Sequence, residues 1–318
     1  MLAVWLAAFA AGVALIVWGA EAFAEHLGRA SVRLGVSTFA LAFLLAGAEP
    51  EELATAVVAS LRGSPGIALG DVVGANIAIC LVAIGVGAWI APLPFRAVVM
   101  RYALLGLPLG AIGTWCAWDG EVGRIEGAIL VALYALYVAA IWWAERKPPM
   151  LGEVGELAEA QEAAASGKSS RFGRDLAFVL IGVVAMAAGA TMLVEAVQRI
   201  SGIEATQVRL GLTLVGFATG FELVVLAWST ARRGMSEAVV AGVMGSFAYN
   251  VTMTLGAGAL ARPLVLVDAR VLHLPLVVML GSLAVVVLLA SRRGQLGRAE
   301  SAALLAAYPA FVAWVWAA

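Results

Sequence analysis

The chain has little charge and few reactive side chains. Of its 318 residues, 13% are Asp, Glu, Lys or Arg, and 63% are hydrophobic. This composition argues against a soluble domain and predicts a polytopic membrane protein. The net charge of −1 and the lack of a basic stripe argue against nucleic-acid binding. Cys80 and Cys116 lack metal-site spacing and are expected to pack as small apolar groups, and His26 and His273 lie near segment ends.

Long apolar runs make up most of the sequence. A helix that spans a bilayer needs about 20 mainly apolar residues, and ten segments meet this requirement. We therefore predict an all-α polytopic membrane protein with ten transmembrane helices. The predicted segments are 2–25, 31–61, 66–92, 97–118, 123–143, 174–198, 206–232, 237–261, 268–291 and 299–317.

Lysine and arginine are unevenly distributed among the predicted loops. Of the 20, 14 lie in the loops that follow odd-numbered helices. The positive-inside rule places these loops, including the long polar loop 145–173, in the cytoplasm. Both termini are then expected on the other side. We expect a multi-pass protein of the cell (inner) membrane, with the lipid bilayer as its surroundings.

The sequence contains two copies of one unit, which is a strong indication of architecture. "VRLGVS" at 32–37 matches "VRLGLT" at 208–213, and "GEVGRIE" at 120–126 matches "GQLGRAE" at 294–300. Each copy carries five predicted helices, and this odd number makes the second copy enter the membrane from the opposite side. Inverted repeats are typical of secondary transporters, whose site lies near the midplane. The predicted units are a first repeat 1–144, a cytoplasmic linker 145–173 and a second repeat 174–318.

Three carboxylates interrupt predicted helix 2, in the stretch "LLAGAEPEELATAVV". Glu49, Glu51 and Glu52 stand beside Pro50 in an otherwise apolar run. A charged residue at membrane depth costs at least ~2.5–3.5 kcal/mol on insertion scales and indicates a functional site. Proline removes a backbone donor, so we expect a kinked or broken helix here. Freed carbonyls and carboxylates facing a wet cavity suit a hard cation.

The second copy carries a single acid at the equivalent place, Glu222 in "LTLVGFATGFELVVLAWST". Glu51 and Glu222 both precede the glycine of an Arg-Gly pair by twelve residues, and no Lys or Arg within a helix core is available to pair with them. We expect the two to meet as a cation site. The partner helices are 3 and 8. On helix 8, Ser246 and Asn250 lie four residues apart and share a face. They either contact the ion or form hydrogen bonds that hold the helix bundle together. Asp71 is either an ion ligand or a structural or entrance carboxylate.

Together these motifs resemble the cation/calcium exchanger superfamily, which includes sodium/calcium and proton/calcium exchangers. Its repeats carry G-T-S-x-P-E on one helix and G-S-N-I-F-[ND] on the next. "AGAEPEELATAVVASLRG" with "IALGDVVGANIAI" resembles the first repeat, and "FATGFELVVLAWSTARRG" with "GVMGSFAYN" resembles the second. The resemblance implies ten helices in two inverted halves. It also implies that Glu51 and Glu222 bridge calcium, with Asn250, Ser246 and Thr219 as further oxygen ligands.

The first repeat departs from the family pattern. Ala48 stands where the family has Ser, helix 3 has Ile79 in place of Asn, and Glu49 and Glu52 are additional carboxylates. An alignment with Glu52 rather than Glu51 as the central glutamate stays open. The side-chain oxygens missing at Ala48 and Ile79 would have served as ligands of a sodium ion. Neighbouring carboxylates oppose each other's ionisation, so the additional glutamates can hold a proton. Protons are therefore the favoured counter-ion, with sodium as the alternative.

The sequence predicts a secondary antiporter that exchanges calcium, or a similar divalent cation, for protons or sodium by alternating access. No enzymatic activity and no cofactor are expected, and Ca²⁺ and Na⁺ or H⁺ are the transported substrates. An intramembrane protease is disfavoured because Asp71 is the one aspartate within a predicted helix core and HExxH is absent. The alternative is a non-transporting sensor or scaffold with a degenerate ion site, against which the presence of both Glu51 and Glu222 argues. The oligomeric state stays open, a monomer included.

Overall fold

In the described residues, the computed structural model of the chain is helical almost throughout. Two predicted regions lie largely outside this described part, namely the first half of predicted helix 2 and the linker 145–173. The described residues are 2–33, 49–145, 172–234 and 236–317.

The described residues of the first repeat form six helices, two short strands and a π-helical segment. Its elements are α1 (Leu2–Arg33), α2 (Pro50–Leu61), α3 (Pro65–Ala78), the π segment Ile79–Ala83, α4 (Ile84–Ile90), β1 (Leu93–Pro94), α5 (Ala97–Ala117), β2 (Glu121–Val122) and α6 (Arg124–Glu145).

The second repeat follows the same order, with a further break in its second crossing helix. Its elements are α7 (Phe172–Ile200), α8 (Glu204–Leu210), the π segment Gly211–Val215, α9 (Gly216–Thr219), α10 (Phe221–Arg232), α11 (Ser236–Tyr249), the π segment Asn250–Thr254, α12 (Leu255–Ala261), β3 (Leu264–Val265), α13 (Arg270–Arg293), β4 (Gln295–Leu296) and α14 (Arg298–Ala317).

Nine helices in the described ranges are long and apolar enough to cross a membrane. They correspond to nine of the ten predicted segments. Three of them are interrupted by π or turn residues, and we call these helix 3 (Pro65–Ile90), helix 7 (Glu204–Arg232) and helix 8 (Ser236–Ala261). The tenth predicted segment, 31–61, is represented in its second half by α2, which has 12 residues.

The predicted first transmembrane segment, 2–25, agrees with the membrane-spanning part of α1, Leu2–Leu27. The helix itself continues to Arg33. An ion pair of 2.5 Å between Glu25 and Arg29, one turn apart, stabilises the helix past the predicted end. The equivalent pair in α7 joins Glu195 and Arg199 at 3.6 Å.

Equivalent elements of the two repeats keep a constant spacing. The start of α3 at Pro65 corresponds to the start of α11 at Ser236, an offset of 171 residues. The π segments begin at Ile79 and Asn250, with the same offset. The two halves therefore share one backbone plan down to an irregular turn.

The crossing of α1 with α7 demonstrates that the repeats are inverted. Gly12 packs on Gly189, and Gly19 packs on Gly182. A Cβ atom at any of these glycines would lie 2.6–2.8 Å from the carbonyl oxygen of the glycine opposite. An early residue of one helix thus meets a late residue of the other, so these two equivalent helices run antiparallel.

Two antiparallel ribbons close the ends of the bundle. β1 pairs with β4, with Leu93 opposite Leu296, and β2 pairs with β3, with Val122 opposite Leu264. β1 and β2 flank α5, whose 21 residues span about 31 Å. The equivalent strands β1 and β3 therefore lie at opposite ends of the bundle. These observations confirm the prediction of two inverted five-helix repeats.

Helices of one repeat pack closely on helices of the other at the centre. On helix 3, Gly70 meets Gly211 of helix 7, and Gly74 meets Leu212, whose carbonyl oxygen would lie 2.4 Å from an added Cβ. Gly258 of helix 8 lies against α2 in the same way. The first repeat therefore contributes α2 and helix 3 to the centre, and the second contributes helices 7 and 8.

Candidate functional site

Acidic residues stand where two equivalent helices begin. α2 starts at Pro50, preceded by Glu49, so Glu51 lies in its first turn. Helix 7 breaks at Gly220, and Glu222 lies in the first turn of α10. Because the backbone N–H groups of a first turn have no helical partner and carry partial positive charge, each carboxylate lies at a favourable place for an anion. The helix does begin at Pro50, as the proline suggested.

Glu49 joins α2 to helix 8. The Ser246 hydroxyl donates a hydrogen bond to the Glu49 carboxylate, which is buried. At the equivalent positions of the other repeat stand Gly220 and Ala75, which have no polar side chain. The polar contact between Glu49 and Ser246 therefore has no counterpart between the equivalent residues Gly220 and Ala75.

Asp71 joins helix 3 to helix 7. The Thr219 hydroxyl donates to Asp71 Oδ1 at 2.9 Å, and both residues are buried. Asp71 Oδ2 is also buried and has no hydrogen-bond donor among the residues that the structure describes. The sequence left open an ion ligand, a structural carboxylate or an entrance carboxylate for Asp71, and in this structure Asp71 has no exposed surface.

Glu51 and Glu52 bury oxygens that lack hydrogen-bond donors. Both oxygens of Glu52 and Oε1 of Glu51 have no donor within the described part of the chain. Glu52 lies within electrostatic range of Asp71, Glu51 and Glu222 and beside the amide of Asn250. An unsatisfied buried polar group costs about 1–3 kcal/mol, and a charged one costs more. A cluster of this kind needs a ligand that supplies positive charge.

No arginine or lysine supplies that charge in the described residues. The ion pairs found there involve other acids, such as Glu25, Glu195 and Glu300. None involves Glu49 or Asp71. Among the described residues, a salt bridge, the structural alternative for these acids, is therefore not observed for Glu49, Glu51, Glu52 or Asp71.

The eight residues predicted for the site lie in one cluster. Glu222, which is half-buried, lies within electrostatic range of Glu49 and Glu52. Within the described ranges, no three His, Cys, Asp or Glu side chains converge closely enough to hold a metal ion. A bound cation would therefore need hydroxyl, amide or backbone oxygens, or a closing of the carboxylates. The eight are Glu49, Glu51, Glu52, Asp71, Thr219, Glu222, Ser246 and Asn250.

Asn76 is a member of this cluster that sequence reasoning missed. It is fully buried, and its Oδ1 accepts a hydrogen bond of 3.3 Å from Asn250 Nδ2. Sequence reasoning followed the residues of helix 3 that lie in steps of four from Asp71, namely Ala75 and Ile79, and Asn76 does not lie on that face. Its signal was present in "GANIAI", where Asn occupies the third position of the G-S-N pattern.

The comparison with known families decides the assignment. The family model described as sodium/calcium exchanger protein matches residues 4–143 and 175–317. The chain belongs to the sodium/calcium exchanger family. The two matched ranges coincide with the two repeats, and the stretch between them contains the linker. The family is one of transporters rather than enzymes.

Individual members of the exchanger family are distant in sequence but similar along the whole length. CaxA of Alkalimonas amylolytica, a candidate antiporter, is 24% identical over 307 residues, which cover 93% of this chain and 94% of CaxA. The sodium/calcium exchanger MaX1 of Methanosarcina acetivorans is 24% identical, with 95% of each chain covered. A structure of the sodium-calcium exchanger NCX_Mj soaked with Na⁺ and Sr²⁺ matches with a TM-score of 0.61 and 21% identity, covering 98% of this chain and 99% of NCX_Mj. This likeness supports the exchanger fold.

Proposed function

We propose that this chain exchanges calcium, or a similar divalent cation, for protons or sodium across a membrane by alternating access. The observation that carries the proposal is the convergence of Glu49, Glu51, Glu52 and Asp71, buried and without a cationic partner in the described residues, next to Glu222. A divalent cation supplies the charge that such a cluster lacks. Carboxylate oxygens are the ligands that calcium prefers.

The same charges provide a reason for exchange rather than uniport. An empty cluster would leave several carboxylates unpaired at membrane depth, which is energetically costly. The protein is therefore expected to change its accessible side readily when a cation or counter-ion occupies the cluster and poorly when the cluster is empty. Inverted repeats supply the two related conformations, since each repeat can take the arrangement of the other.

The counter-ion is the finer part of the proposal, and we expect protons ahead of sodium. At the positions of Ser246 and Asn250, the first repeat has Ala75 and Ile79, which offer no side-chain oxygen. A sodium shell would need such neutral oxygens. The first repeat instead has additional carboxylates, which can carry a proton in exchange for a cation.

We further propose that the protein lies in the cell membrane with the linker 145–173 in the cytoplasm. The support is the excess of Lys and Arg in the loops after odd-numbered helices. Labelling of single cysteines introduced into that linker, from each side of the membrane, tests this orientation.

Calcium flux in proteoliposomes tests the function. Purified protein is reconstituted, and calcium uptake is followed with a pH gradient and no sodium, and then with a sodium gradient and no pH gradient. We expect uptake with at least one gradient, and with the pH gradient in particular. Glu237→Gln is a matched control, because Glu237 lies at a helix end, paired with Arg96 at 3.3 Å. Uptake driven by sodium alone would reject the proton assignment, and no uptake under either gradient would reject the antiporter.

A further inference from the structure

A chain of side-chain hydrogen bonds runs through the centre of the protein and includes Asn250. The Thr254 hydroxyl donates to Asn250 Oδ1 at 3.3 Å. Asn250 Nδ2 donates to Asn76 Oδ1 at 3.3 Å, and Asn76 Nδ2 donates to the Met279 sulfur at 3.7 Å. These four residues lie on helix 8, helix 3 and α13 and are at most 1% exposed. The chain therefore connects three helices where water does not compete.

The chemistry of its two ends determines which way each amide faces. A thioether sulfur has no hydrogen to donate, so Asn76 turns its NH₂ group towards Met279 and its oxygen towards Asn250. Asn250 must then turn its nitrogen to Asn76, because two amide oxygens repel each other. The Asn250 oxygen is left facing Thr254, whose hydroxyl donates to it.

We propose that Asn76 is a positioning residue, which holds the Asn250 amide with its nitrogen towards the carboxylate cluster and its oxygen towards Thr254. The NH₂ group of Asn250 has two hydrogens, of which Asn76 accepts one. The other is available to Glu52, beside which Asn250 lies. Asn250 lies close enough to favour the charged form of Glu52, although the two make no hydrogen bond of ordinary geometry in this structure, and Asn76 acts on the cation through Asn250. This inference rests on the proposed function and adds to it a residue outside the predicted ligand set.

The two repeats differ at this point in a way that supports the assignment. The equivalent of Asn250 on helix 3 is Ile79, and the equivalent of Asn76 on helix 8 is Phe247. Each repeat therefore contributes one amide side chain, and the two amides, Asn76 and Asn250, are hydrogen-bonded to each other. If they served only to hold the bundle together, the cation response would not depend on either of them.

The test measures the calcium concentration that gives half-maximal flux in proteoliposomes. Asn76→Leu removes the acceptor and keeps a similar volume, and Thr254→Val removes the donor on the other side of Asn250. Each is expected to raise this concentration about 2- to 10-fold, the effect of losing one neutral hydrogen bond, with the maximal rate within about 2-fold because no ligand is lost. Thr252→Val is the matched control, since Thr252 is equally buried but donates to the Ala248 carbonyl.

A double-mutant cycle separates positioning from general packing. In an Asn250→Ala background, Asn76→Leu is expected to cause no further rise in the half-maximal concentration, because its route to the cation is gone. Equal additive effects in both backgrounds would overturn the inference, as would an unchanged half-maximal concentration in Thr254→Val. If Asn76→Leu fails to fold, Thr254→Val alone decides. Absence of calcium flux in the unmodified chain would instead overturn the proposed function and this inference with it.

Discussion

Replacing Glu52 with leucine is expected to stabilise the cation-free protein and to remove its response to calcium. Glu52 has no exposed surface, and neither of its carboxyl oxygens has a hydrogen-bond donor in the described residues. The second repeat carries Leu223 at the equivalent position on the same backbone, where it is also buried. The same backbone position therefore carries a buried leucine in the other repeat.

The magnitude follows from the two unsatisfied oxygens. Replacing a buried ion pair by well-packed apolar residues is often neutral or stabilises a protein by about 1–4 kcal/mol, and Glu52 has no ion-pair partner in the described residues. We expect a gain of about 2 kcal/mol for Glu52→Leu in the absence of divalent cations. Each kcal/mol added to the free energy of unfolding raises the unfolding temperature by roughly 2–4 °C in a chain of about 150–250 residues. The unfolding temperature of Glu52→Leu should therefore rise by about 4–8 °C. Added calcium should then stabilise the variant less than it stabilises the unmodified protein.

Thermal unfolding of purified protein, in chelator and in millimolar calcium, measures both effects. The reciprocal variant Leu223→Glu is the control and should lower the unfolding temperature in chelator, because it buries a new carboxylate. A lower unfolding temperature for Glu52→Leu in chelator would show that Glu52 is satisfied in the folded state, and the reasoning from its unpaired oxygens would be refuted. Full calcium stabilisation of that variant would remove Glu52 from the site.

Three further changes test the site and the packing around it. Glu222→Gln should abolish calcium flux while the protein still folds, since the amide keeps the volume but loses the charge, and unchanged flux would exclude Glu222. Glu51→Gln should reduce the calcium flux more than Glu49→Gln. Glu51 is the equivalent of Glu222, whereas the Glu49 carboxylate already accepts a hydrogen bond from the Ser246 hydroxyl. A larger loss of flux in Glu49→Gln would contradict the assignment of Glu51. Gly74→Ala should lower the free energy of unfolding by about 1–3 kcal/mol, because its methyl group would lie 2.4 Å from a carbonyl oxygen. Gly242→Ala is the control and should change stability little, because its methyl group would meet nothing within 4 Å. Equal stabilities of the two variants in chemical denaturation would argue against the close approach at Gly74.

The inverted architecture could be predicted from sequence because it follows from the number of apolar segments in each copy of the repeat. Repeated motifs and five apolar segments per copy are enough to require inversion. The π segments at Ile79 and Asn250 were not predicted, because one additional residue in a turn leaves the apolar composition unchanged. The pairing of β1 with β4 was also missed, since strands of two residues leave no periodic signal.

The acids of the site were predictable because carboxylates are rare in apolar segments, whereas Asn76 was not found because helix 3 has no polar face. Helix 3 is enclosed on all sides, with 94% of its most apolar window buried. Its residues therefore contact neighbours in every direction. Steps of four from Asp71 follow one face, but Asn76 reaches Asn250 from another. Periodicity identifies the face of a half-buried helix and fails for a helix that is buried all round.

The distribution of charge over the symmetric backbone has a mechanistic consequence. The first repeat supplies carboxylates where the second has Gly220, Leu223 and Gly242, and the second supplies neutral polar groups. Each neutral group meets an acid of the opposite repeat, so the polar contacts of the cluster cross between the repeats. Under the proposed alternating access, a movement of one repeat against the other would break these contacts and leave the buried carboxylates in need of another source of positive charge. A transported cation would supply it, so the proposal ties the movement of the repeats to the presence of an ion. The contacts are Glu49 with Ser246, Asp71 with Thr219, and Glu52 with Asn250.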